Sequence, residues 1–270
     1  DSNPSEISTE EVSEFLEAAI LSKELENPEI ETRGRFDRAV KTAEKFGTVF
    51  QKFKAHYQYS WAAYWWFEDF DLFREEFLSS LEVAQELDHA SQWGDIVTLF
   101  GLYSSAFRIR MQGDKAELAS LRDQVRKALD SIVDIEERPS NSLMGEAYIQ
   151  LMNLQSVEAP EEADPIFASL LEIFQKGEGL IGFAHSELYN LVLELDGLLG
   201  DSESYEELLD YVTQSYSDRE GRSNAARMWV KRGAKRLESG KPYEAIKLLG
   251  KSLHGLYQKG YEQDLYAALN

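Results

Sequence analysis

Between Ser223 and Tyr261 the chain spells out two amphipathic helices joined by a turn too short for anything but a tight hairpin. Ala226, Trp229, Val230, Gly233 and Leu237 recur at spacings of three and four, which puts them on one face of a helix. Gly240 follows the last periodic position, where a helix ends readily in a left-handed conformation, and Pro242 stands where the next helix can start without losing a hydrogen bond. Ala245, Leu248, Leu249, Leu253 and Tyr257 form the second stripe. So short a hairpin cannot bury both stripes by itself, so further helices must stack on it.

The spacing Trp229, Gly233, Gly240, Ala245, Leu249 resembles a tetratricopeptide repeat. In that pattern the small residues, here Gly233 and Ala245, let the paired helices approach, and the large ones fill the space between hairpins. Arg232, Arg236 and Tyr257 stand where the family carries Leu, Tyr and Pro. The resemblance covers only this hairpin. It implies a right-handed α–α superhelix, a TPR-like α-solenoid of helical hairpins, whose concave face binds peptides or helices of other proteins.

The rest of the chain has the same texture. Ser8 and Glu11 form a capping box ahead of Val12, Phe15, Leu16, Ala19 and Ile20. A long pattern from Thr32 reaches Phe53 through Phe36, Ala39, Val40, Ala43, Phe46, Val49 and Phe50, and predicts one helix. Further helices are predicted to Leu87, over Trp93–Met111, from Leu118 to Ile132, from Asn141 or Ser142 to Leu154, over Pro165–Phe174, Ile181–Leu199 and Tyr205–Tyr216, and from Gln263 onward. First helices of successive hairpins are then expected near residues 92, 141, 180, 222 and 262. Pro165-x-x-Ala168-x-x-Leu171 recurs as Pro242-x-x-Ala245-x-x-Leu248, and Phe174-Gln-Lys-Gly177 as Tyr257-Gln-Lys-Gly260. The expected organisation is an acidic N-terminal segment with a capping helix, 1–31, followed by a helical-repeat array, 32–270. Starting at Asp1 without methionine and stopping in mid-pattern, the sequence reads as a segment of a longer polypeptide.

Composition narrows the function. A formal net charge of −21 argues against general affinity for nucleic acid or anionic lipid, which need clustered cations. No apolar run approaches the roughly 20 residues of a membrane span. The absence of cysteine excludes disulfides and thiol chemistry and is compatible with the cytoplasm. Gly177-x-Gly179-x-x-Gly182 matches a dinucleotide fingerprint in letters, but it falls between two predicted helices rather than after a strand, so it reads as a helix stop. Glu86-x-x-His89 has di-iron spacing without the second copy that such bundles need, so His89 reads as a turn residue. No catalytic constellation emerges, and neither an enzyme nor a cofactor is expected.

Two clusters remain as candidate partner-binding sites. Ten aromatic residues crowd between Tyr57 and Phe77; most fall on two helical stripes and read as core, leaving Tyr59 and Trp65 as candidate anchors. From Arg219 to Arg236 seven cations face a single acid, Glu220. Arg227, Lys231, Lys235 and Arg236 are the candidates for a clamp on a carboxylate-bearing peptide or acidic helix, against the plainer reading of a solvated face or of contacts to acids elsewhere in this same chain. The expected function is therefore a protein–protein interaction module; the alternative is a regulatory or sensor segment of a larger multidomain enzyme such as an NTPase. Partner identity and oligomeric state are not encoded in these features.

Overall fold

A computed structural model describes residues 8–110, 112–133, 135–155, 157, 159–193 and 202–257. The protein is all-α. Among the described residues twelve α-helices follow one another with no strand, and a short 3-10 turn spans Pro160–Glu162. The helices are α1 (Thr9–Glu24), α2 (Glu29–Phe46), α3 (Val49–Trp65), α4 (Phe70–Ala84), α5 (Ala90–Arg110), α6 (Lys115–Asp130), α7 (Pro139–Leu154), α8 (Asp164–Gly177), α9 (His185–Leu193), α10 (Glu203–Glu220), α11 (Arg222–Glu238) and α12 (Pro242–Leu256).

Their starts are set by local chemistry. The Ser8 hydroxyl accepts from the Glu11 N–H while the Glu11 carboxylate accepts from the Ser8 N–H, closing the expected capping box. Thr48 and Gln51 build a second one. It breaks the long pattern drawn from Thr32 to Phe53: Gly47 ends α2 and Thr48 starts α3. Asp69, Asp114 and Ser202 cap α4, α6 and α10 more simply, each side chain accepting one backbone N–H of the first turn. The expected start near 180 is also corrected, since Ile181 is 97% exposed in the turn and α9 begins at His185. The tail of the helix drawn to Leu199 and the one drawn from Gln263 lie outside the described residues.

The chain divides into two compact units, 1–152 and 153–270, with the boundary in the last turn of α7. In the first, α1 pairs with α2, α3 with α4 and α5 with α6, and the first helices of these pairs also touch, α1 on α3 and α3 on α5. The N-terminal helix thus packs within the first unit. Its core is dominated by Phe36, Phe53, Phe73, Phe77, Phe100, Tyr103 and Tyr148, all fully buried. In the second unit α11 pairs with α12, α10 packs on α8 and α11, and α9 touches α11. Its core includes Phe167, Phe174, Tyr189 and Tyr205.

Candidate functional site

Helix α3 is enclosed by α1, α2, α4 and α5, which leaves it one narrow free face. Positions four apart lie one above the other on a helix, and on α3 the row Phe53, Tyr57, Trp61, Trp65 is aromatic throughout. Neighbouring ring centroids stand 6.0, 6.4 and 6.1 Å apart along it. The row begins in the core at Phe53, passes through half-buried Tyr57 and Trp61, and ends at Trp65, which is 55% exposed. Tyr64 braces the last indole edge-on at 4.9 Å. Beside the buried end, the Lys54 ammonium lies 5.2 Å from the Tyr57 ring and donates to Asp95 of α5 at 2.7 Å. The rings are thereby held in a fixed ladder, and a rigid aromatic surface costs little entropy when something binds it.

Tyr59 does not belong to this surface. It is 3% exposed, stacks on Phe36 at 5.0 Å and donates its hydroxyl hydrogen to Asp37 at 2.8 Å. Burial, the bond to Asp37 and that carboxylate's charge push its pKa well above the ordinary tyrosine value. Tyr59 is a core residue, and the anchor role expected of it is corrected. Two neighbours of Trp65 were missed: Tyr57 and Trp61 look like core because helical spacing alone cannot tell a covered stripe from an open one.

The basic stretch splits by helix face. Arg227 and Lys231 are exposed on α11, and Lys235 is half-buried with its ammonium 4.0 Å from Glu238. Arg236, expected to join them as a clamp, is 3% exposed and turned inward. It pairs with Glu206 of α10 and stands 3.5 Å from Glu244 of α12. Arg232 is buried too, donating to Glu206 and Asp210 at 3.1 Å each and to Thr213 at 3.3 Å. A buried guanidinium needs such partners, because leaving it unpaired out of water costs several kcal/mol, on the order of 3–5. These two arginines hold α11 to its neighbours, and Arg236 is corrected from partner-binding to structural.

The remaining motifs are structural. Gly177 ends α8 where a methyl group would overlap the Phe183 ring, and Gly179 and Gly182 take positive φ in the turn before α9. No strand precedes them among the described residues, so the dinucleotide geometry is missing. His89 Nδ1 lies 2.9 Å from the Ser91 hydroxyl at the start of α5. Among the described residues no three His, Asp or Glu side chains are grouped as metal ligands, and no helix is long and apolar enough to cross a membrane. A cleft of about 820 Å³ opens where α4 and α6 end, with an Arg138–Asp88 ion pair of 2.8 Å on its rim.

Compared with protein-family models, curated proteins and solved structures, the chain matches none of them.

Proposed function

We propose that the chain is a helical-repeat interaction module that holds a segment of a partner protein against the open face of α3. The observation that carries this reading is the aromatic ladder, which rises from buried Phe53 through half-buried Tyr57 and Trp61 to exposed Trp65 on the open face of α3. Large aromatic rings left in water, fixed by their neighbours, are characteristic of the energetic centres of protein interfaces. The resemblance of the α11–α12 hairpin to a tetratricopeptide repeat supports a solenoid of roughly six hairpins, and so do the contacts between first helices in each unit. In such an array first helices line the binding groove, and α3 is a first helix. Within the second unit, the exposed cations Arg227 and Lys231 and the half-buried Lys235 of α11 are a separate candidate contact, suited to carboxylates of an acidic partner. Nucleic acid and membranes are poor partners for a chain of net charge −21, and the setting that fits is the cytoplasm.

The test is affinity capture by wild type, by Trp61→Ala/Trp65→Ala and by Arg227→Glu/Lys231→Glu, after circular dichroism has shown equal helicity. A protein retained by wild type and lost by the tryptophan variant supports the ladder. Equal retention by wild type and the tryptophan variant removes the ladder from the site.

A further inference from the structure

His56 of α3 sits in the first unit with both ring nitrogens facing carboxylates. Nδ1 is 2.6 Å from Glu76 Oε2 of α4, and Nε2 is 3.0 Å from Glu44 Oε1 in the last turn of α2. A neutral imidazole carries one N–H and one lone pair, so it can donate to only one of the two; the imidazolium donates to both. The geometry therefore selects the charged ring. Burial by itself would lower the pKa of His56, but the hydrogen bonds and charges of Glu76 and Glu44 outweigh it and raise it above 6.5.

The two carboxylates are not equivalent. Glu76 is buried beside His56, whereas Glu44 is largely exposed and has a second cation, Lys52, at 3.5 Å. Stripping the N–H from Glu76 would strand a buried charge, while Glu44 can turn to water and to Lys52. Two further carboxylates around this part of α3 are engaged elsewhere. Asp37 of α2 accepts from Tyr59, and Asp95 of α5 holds Lys54. Helix α1 meets α3 through Val12 against Ala55 and through Thr9 and Ser13 on Gln51, all uncharged contacts.

We propose that His56 is a pH-sensitive staple: as an imidazolium it ties both α2 and α4 to α3, and loss of the Nε2 proton releases the end of α2 alone. The sign follows from the raised value. The tie is complete below about 6.5, the ordinary histidine value, and is lost as pH rises through the folded-state value. Release would loosen the α2–α3 junction at Gly47 and Thr48, just ahead of the helix that carries the aromatic ladder.

The test is ¹⁵N NMR of histidine-labelled full chain through a pH titration, together with amide hydrogen exchange. The expected result is a His56 titration above the ordinary histidine value that ends in the Nδ1–H tautomer. Exchange in residues 43–47 should rise at high pH relative to residues 73–77. Glu44→Gln should remove most of that pH response, and His56→Gln all of it. A titration at or below the ordinary value, an Nε2–H tautomer, or equal loosening of both segments would overturn the proposal. The NMR titration uses wild type alone, so the question is decided even if neither variant folds.

Discussion

Arg232 donates to Glu206 at 3.1 Å while its guanidinium carbon lies 4.8 Å from the centroid of the Trp229 ring on its own helix. Arg232 and Arg236 are two of the three positions at which the hairpin departs from the repeat pattern it resembles. Both are buried; acids of α10 pair with the terminal nitrogens of Arg232 while its Nε has no hydrogen-bond partner, and acids of α10 and α12 pair with Arg236. The contact they make is a network of charge-assisted hydrogen bonds. Arg232→Ala should destabilise the second unit by about 1.5–3 kcal/mol, the range for hydrogen bonds to charged groups. Urea unfolding followed by Trp229 fluorescence checks it, and Arg232→Lys should recover only part, since a lysine cannot span Glu206 and Asp210 with a planar fork.

Gly233 faces Leu249 so closely that an added methyl would lie 2.7 Å from Leu249 Cγ. The α11–α12 approach therefore depends on the missing side chain. Gly233→Ala should cost roughly 1–3 kcal/mol through overpacking, despite alanine's higher helix propensity. Adding Leu249→Ala should remove most of that penalty, and a double-mutant cycle with a coupling near zero would contradict the close-approach account.

Glu117 of α6 receives hydrogen bonds from Arg74 of α4 and from Tyr103 of α5, the latter at 2.5 Å. The Arg74 hydrogen bond, followed by that of Tyr103 and outweighing burial, holds the Glu117 carboxyl below its ordinary value. A depressed carboxyl stabilises above its unfolded value and loses that contribution as pH falls through its folded one. Glu117→Gln should therefore lower the melting temperature at neutral pH, and the difference from wild type should shrink toward zero in strong acid. Thermal melts at both extremes measure it. This response is opposite in sign to that of His56.

Across α3 and α4 the exposed and buried rings should separate cleanly. Trp65→Ala should change stability by no more than about 0.5 kcal/mol, as a surface substitution does. Phe73→Ala, which removes a fully buried ring stacked near Phe77 and Tyr64, should cost roughly 3–5 kcal/mol. Chemical denaturation of the two variants tests the burial pattern on which the candidate site depends.

Much of this was legible in the sequence where the cause is local. The Ser8 capping box and the Gly240-Pro242 hairpin are written in a few adjacent residues, and each falls where a helix starts or ends. The Gly47-Thr48 break was written there too, as Thr48-x-x-Gln51, but the apolar periodicity on either side stays nearly in phase and hides it. Leu237, assigned to a buried stripe, is 58% exposed because it lies in the last turn of α11. What could not be read is non-local. Tyr59 is buried because α3 is covered on several sides, and one stripe per helix is too narrow a rule for such a helix. Arg236 finds its main partner thirty residues away at Glu206, and His56 finds Glu76 twenty residues away. Local spacing carries no trace of either pairing.

A photo-crosslinking residue on α3 reports whether a partner protein lies on its open face, as proposed. Placed at Gln58, next to Tyr57 and on the Trp61 side of α3, it should capture a discrete protein on irradiation; placed at exposed Glu24, at the end of α1, it should not. The Gln58 adduct should disappear when Trp65 is replaced by alanine. Adducts of equal yield at both positions, or a Gln58 adduct indifferent to Trp65, would contradict the account.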